Sequence, residues 1–160
     1  MTESLFSTNV IEEELEKHGV HASTTVGVSM RPLFRTRRDM VILKKPDREL
    51  RKYDIVLYRD GRGKYIMHRI IRVREHEFII RGDNTYRLEH VPKERIIALL
   101  TEFNRKGKRH SCEERGFKIY SRVWNFIYPI RFVCHHMSLF FKRGFRWVGR
   151  HIFGKKKKEN

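Results

Sequence analysis

Cysteine is scarce in this chain: only Cys112 and Cys134 occur, and neither has a second Cys or a His pair at metal-ligand spacing. No disulfide framework is expected, and both thiols read as free. Cys134-His135-His136 does not alter this, because adjacent residues on a helix point in different directions and do not share a metal ion. The sequence calls for no metal and no other cofactor. Acid is scarce too, with 19 Asp+Glu against 36 Lys+Arg and a formal net charge of +17. That balance admits nucleic acid or an anionic membrane surface as partners without choosing between them. Residues 1–9 carry an acid and no apolar run, so neither a secretory signal nor a signal anchor is expected, and the chain reads as cytoplasmic. No Gly-rich phosphate loop, DNA-reading helix-turn-helix or internal repeat stands out.

What is present is a folded composition, with 39% hydrophobic and 12% aromatic residues in a length that suits one domain with appendages. Ser7-Thr8-Asn9 followed by Glu12 is a capping-box pattern, and Val10, Ile11, Leu15 and a closing Gly19 predict a short amphipathic helix within 1–19. β-Branched and apolar runs then predict strands over 20–28, 39–43, 54–58, 64–73, 77–81 and 96–103, with a hairpin loop at 59–63. About six short strands in roughly 80 residues imply a mainly β, compact antiparallel domain over 20–103. Residues 104–116 read as a basic linker.

Within that domain, Val28-Ser29-Met30-Arg31-Pro32 delivers a serine from a strand into a Pro-stiffened turn, where a hydroxyl can be held at a fixed angle. Gly, Ser and Pro are also ordinary turn residues. His68 alternates with Ile66 and Ile70 on one strand face, which suits either a core histidine with one hydrogen bond or a general base. Gly82-Asp83-Asn84 ends the next strand in a turn that brings a carboxylate to its tip. Glu89 is a second acid nearby.

Gly27-Val28-Ser29-Met30-Arg31-Pro32, Tyr53-Asp54-Ile55-Val56, His68-Arg69-Ile70 and Gly82-Asp83-Asn84, in that order, resemble the superfamily of signal peptidase I and the self-cleaving SOS and phage repressors. The resemblance covers about residues 20–103. It implies a β-rich serine endopeptidase, and His68-Arg69-Ile70 looks like the Ser–His form found in eukaryotic, archaeal and spore-former signal peptidases. Carried over residue by residue, Ser29 is the nucleophile, His68 the general base and then acid, and Asp83 the group that orients the imidazole, with Glu89 as the rival acid. The substrate implied is a peptide or preprotein processed at an extended segment. Lys64 shares the His68 face but lies four residues away, about 13 Å at ~3.3 Å per residue, too far to replace it as base. With a His base, activity is expected to fall below about pH 6 to 7 as the imidazole protonates. Three departures from the family stand out. Gly27 sits where many signal peptidases have an oxyanion-binding Ser, Tyr53 replaces a usual Gly, and the N-terminal membrane anchor of true signal peptidases is missing from the pattern. The alternative is a non-catalytic, repressor-like β module that binds nucleic acid or anionic membrane through its basic surface.

Beyond the domain, residues 117–160 combine apolar positions at helical spacing (Tyr120, Val123, Trp124 and Ile127, then Val133, Met137, Phe140, Val148 and Ile152) with a Lys/Arg face. Arg131, Lys142 and Arg143 interrupt the stretch too often for it to span a bilayer. This is the pattern of an amphipathic tail lying peripherally on an anionic, cytoplasmic membrane face, or of helices packing on the β domain.

Overall fold

The computed structural model describes residues 7–137, with side chains from Val10 onward. It is mainly β, as expected. The elements run α1 (Ser7–His18), β1 (Val20–Thr24), β2 (Met40–Lys44), β3 (Ile55–Arg59), β4 (Tyr65–Val73), β5 (Glu77–Arg81), β6 (Glu89–Pro92), a 3-10 turn (Lys93–Arg95), β7 (Ile96–Arg105), β8 (Lys108–Ser111) and α2 (Arg115–Phe126). All eight strands pair antiparallel in one sheet of order β1-β2-β7-β3-β4-β5-β6, with β8 pairing β7 beyond the end of β3. The chain divides after Arg122 into two compact units, 1–122 and 123–160.

The unbroken apolar runs of β3 and β7 follow from burial on both faces. Ile55 and Leu57 enter one core with Val41, Leu43, Ala98, Leu100 and Phe103. The alternate residues Val56, Tyr58 and Leu99 enter a second core with Ile70, Phe78, Ile80 and Val91. Register shifts at Ile42/Leu43, Leu57/Tyr58 and Ile70/Arg72 place extra residues in single strands, which bends them and increases local twist.

Helix α1 ends as its sequence predicts. Gly19 takes φ +69°, a left-handed stop, and its N–H reaches Leu15 O at 3.1 Å. Leu15 is buried in the first core, and Glu12 ties the helix to the sheet by accepting from Arg59 Nη2 at 2.6 Å and Tyr65 Oη at 3.0 Å. The helix is thus a packing element of this core.

Two strands fall outside the sequence expectation. β6 is short and ends in Pro, and β8 is the wholly polar Lys108-Arg109-His110-Ser111, so neither carries a hydrophobic alternation. Residues 104–116, expected as a linker, hold the end of β7, a Lys106-Gly107 turn with both φ positive (53° and 79°), β8 and the start of α2. Two consecutive positive φ values suit a two-residue hairpin, and that turn creates the strand. β1 stops at Thr24 rather than reaching residue 28, because Gly27 at φ +100° turns the chain. The residues up to Ser121 belong to the β unit: Phe117 and Tyr120 pack on the first core and Ser121 is buried. A further helical stretch covers 128–137, while Phe140, Val148, Ile152 and the Lys155-to-Lys158 run lie outside the described residues. No helix among the described residues is long and apolar enough to cross a membrane.

Candidate active site

Ser29 sits in the turn that follows β1 and lines a groove of ≈ 1140 Å³. Its loop is braced from both ends. Thr25 N–H donates to Asp39 O at 3.1 Å, Arg35 N–H donates to Asp39 Oδ2 at 2.8 Å, and Arg38 grips both carboxylate oxygens of Asp39 at 2.7 Å. Burial pushes the Asp39 carboxyl up, but these donors outweigh it and hold it below the usual carboxylate range. Thr36 Oγ1 donates to Gly27 O, closing the loop on itself. At Gly27, φ +100° disfavours any side chain, so this backbone does not suit a serine at that position.

The Gly82-Asp83-Asn84 corner docks directly on this turn. Asn84 N–H donates to Ser29 O at 2.7 Å, and Asn84 Nδ2 donates to Val28 O at 3.2 Å. A Cβ placed on Gly82 would stand 2.8 Å from Ser29 O and 2.9 Å from His68 Nε2. The serine turn, the imidazole and the corner therefore meet around one glycine that has no room for a side chain. Among the described residues no hydrogen bond engages the Ser29 N–H.

Strand parity decides which acid meets which base. In the β4–β5–β6 ladder Ile70 pairs with Ile80 and Ile80 with Glu89, so His68, two residues before Ile70, shares a face with Glu89. Arg69 points to the other face, where it pairs with Arg81, and Asp83 follows two residues later on that side. Accordingly Glu89 Oε2 lies 3.4 Å from His68 Nδ1, and Tyr58 Oη also stands 3.4 Å from Nδ1 while donating to Glu89 Oε2. Asp83 is held instead by Arg69 in a two-bond pair, Nε to Oδ1 and Nη2 to Oδ2, both 2.8 Å, with Tyr120 Oη donating to Oδ2 at 3.3 Å. The remaining Arg69 nitrogen, Nη1, donates to Ser121 Oγ at 2.6 Å and Tyr53 O at 3.1 Å. Thus Glu89 faces the imidazole nitrogen, and Asp83, the acid expected there, fixes the corner through a fully buried guanidinium.

Burial lowers the His68 pKa to about 4, the nearby Asp83 carboxylate pulling the other way. The imidazole is thus neutral at pH 7. Burial also raises the Glu89 carboxyl above its ordinary range. Tyr58 was not singled out from the sequence, and Arg69 was named there only within the His68-Arg69-Ile70 motif, without a role of its own. The available signals were a Tyr inside the apolar run of β3 and an arginine inside the apolar run of β4, which demands a buried acid. The Tyr53 departure also has a local meaning, since its φ of +80° is a conformation that glycine adopts without strain.

Half of β4 is open. β5 pairs only with Arg69–Val73 among the described residues, so Tyr65, Ile66 and Met67 offer an edge beside the groove they line with Ser29. Among the described residues no group of three or more His, Cys, Asp or Glu is placed to hold a metal ion. Cys112 and Cys134 are free, and burial raises the Cys112 thiol to about 12. Comparison of the chain with protein-family models and with curated proteins finds no match.

Proposed function

We propose that this protein is a serine endopeptidase in which Ser29 is the nucleophile and His68 the general base. The observation that carries the reading is the convergence at Gly82 of the Ser29 turn and His68 Nε2, with Nδ1 of the same ring turned to Glu89 and Tyr58. A base needs one ring nitrogen for the nucleophile and a partner on the other to fix its tautomer. A proton on Nδ1 faces Glu89 and leaves the Nε2 lone pair on the serine side, so Glu89 takes the orienting role and Asp83 the role of holding the Gly82 corner in place.

In this scheme the Ser29 hydroxyl attacks the substrate carbonyl carbon while its proton passes to His68 Nε2. The Ser29 N–H donates to the developing oxyanion. Collapse breaks the C–N bond, and His68 returns the proton to the departing amine, leaving an acyl-serine. Water then attacks that ester with His68 again as base, releasing the acid and restoring the serine. A peptide in extended form fits the open edge of β4, where backbone pairing holds it without regard to most side chains.

Labelling with a fluorophosphonate followed by peptide mapping tests the reading. The adduct is expected on Ser29 alone, absent in Ser29→Ala and strongly reduced in His68→Ala. Labelling of Ser29→Ala at the wild-type rate would overturn it.

A further inference from the structure

We propose that residues 123–160 dock the protein on an anionic lipid bilayer, with the exposed stripe Val123, Phe126, Ile130, Val133 and Met137 entering the interface. These five residues are spaced alternately by three and four and are 52%, 84%, 66%, 54% and 53% exposed. Three-and-four spacing places them on one side of a helix. α2 ends at Phe126 and the next helical stretch starts at 128, and hydrogen bonds from Ile127 N–H to Val123 O at 3.0 Å and from Arg131 N–H to Ile127 O at 3.1 Å carry helical spacing across this junction. Five large apolar side chains in a row, left in water, form a surface that calls for a partner.

Charge selects the partner. Residues 1–122 hold 27 Lys/Arg against 18 Asp/Glu, whereas residues 123–160 hold nine Lys/Arg against one acid, Glu159. A seam between two copies of this segment would bring together like charges with almost no acid to balance them. An anionic bilayer offers both things the segment needs, hydrocarbon for the stripe and negative headgroups for the cations. The aromatic content fits the same place: Arg131 stacks over Trp124 with its guanidinium 3.7 Å from the ring centroid, an amphipathic pair suited to the headgroup level. The interrupting charges and the lack of a spanning helix among the described residues make the mode peripheral. This inference does not depend on the peptidase reading.

The test is co-sedimentation of the full chain with phosphatidylcholine vesicles, with and without phosphatidylglycerol. Wild type is expected to bind the phosphatidylglycerol vesicles, to bind phosphatidylcholine alone far more weakly, and to be released by salt. Withdrawing each large apolar side chain costs roughly tenfold in partition, so the double variant Phe126→Glu, Ile130→Glu should bind about a hundredfold more weakly. Both positions are exposed, so its urea midpoint should match wild type. Val73→Glu, the same change at an exposed apolar residue of β4, should bind like wild type. Failure of wild type to bind anionic vesicles, or equal binding by the double variant, would overturn the proposal. So would self-association of wild type that the double variant loses while its vesicle binding is unchanged, because the stripe would then join two chains.

Discussion

Replacing Asp83 by Asn removes the carboxylate from the most buried ion pair in the β unit. Arg69 is 0% exposed, and its Nε and Nη2 both donate to Asp83 while Nη1 serves Ser121 and Tyr53. The amide retains one acceptor oxygen and turns an NH₂ toward the guanidinium, so one Arg69 donor loses its partner and the charge loses its counter-ion. Breaking a buried pair from one side typically costs about 3–5 kcal/mol, a large part of the ~5–15 kcal/mol that holds a domain together. Urea unfolding followed by far-UV circular dichroism should therefore show Asp83→Asn destabilised by about that amount. Glu89→Gln, whose site is more exposed and whose partner His68 is neutral at pH 7, should lose much less stability but slow Ser29 labelling more than its stability loss explains. If Asp83→Asn unfolded within about 1 kcal/mol of wild type, the bracing role assigned to Arg69–Asp83 would be refuted.

Three further outcomes follow from the same geometry. Because burial lowers His68 from 6.5 to about 4, its contribution to stability is present above about pH 6.5 and is lost as pH falls toward 4. Over that window wild type should lose about 3 kcal/mol more than His68→Asn in paired urea titrations, and parallel curves would contradict the depressed pKa. Gly82→Ala drives a methyl into backbone Ser29 O and the His68 ring, so a cost of about 1–3 kcal/mol and a larger loss of Ser29 labelling are expected by melting and kinetics; unchanged values would mean the three segments do not meet so closely. Tyr53→Gly relieves a left-handed conformation worth about 1–2 kcal/mol and offsets it with backbone entropy, so its urea midpoint should stay close to that of wild type, whereas Tyr53→Val should be clearly destabilised.

The core strands were legible because β3, β4, β5 and β7 advertise themselves by apolar runs, and the doubling of the core explains why those runs do not alternate. β6 and β8 were hidden, since one is a four-residue edge ending in Pro and the other owes its existence to the Lys106-Gly107 turn and to pairing with β7. Ser29, His68 and the Gly82 corner could be read from motif order, and the fold brings all three to one place. The division of labour between Asp83 and Glu89 could not, because it depends on the pairing of Ile80 with Glu89 in a strand the sequence does not announce. Likewise, the acid limb expected near pH 6 to 7 rests on an unperturbed imidazole, and only the burial of His68 in the folded sheet moves it down.

The pH dependence of Ser29 labelling tests the central claim most directly, since it reports which base activates the hydroxyl. A buried His68 base predicts a rate that is flat through neutrality and falls only as pH approaches about 4, with no such limb in the residual rate of His68→Ala. A rate that keeps rising through about pH 9 to 10 would mark a lysine base and contradict the account.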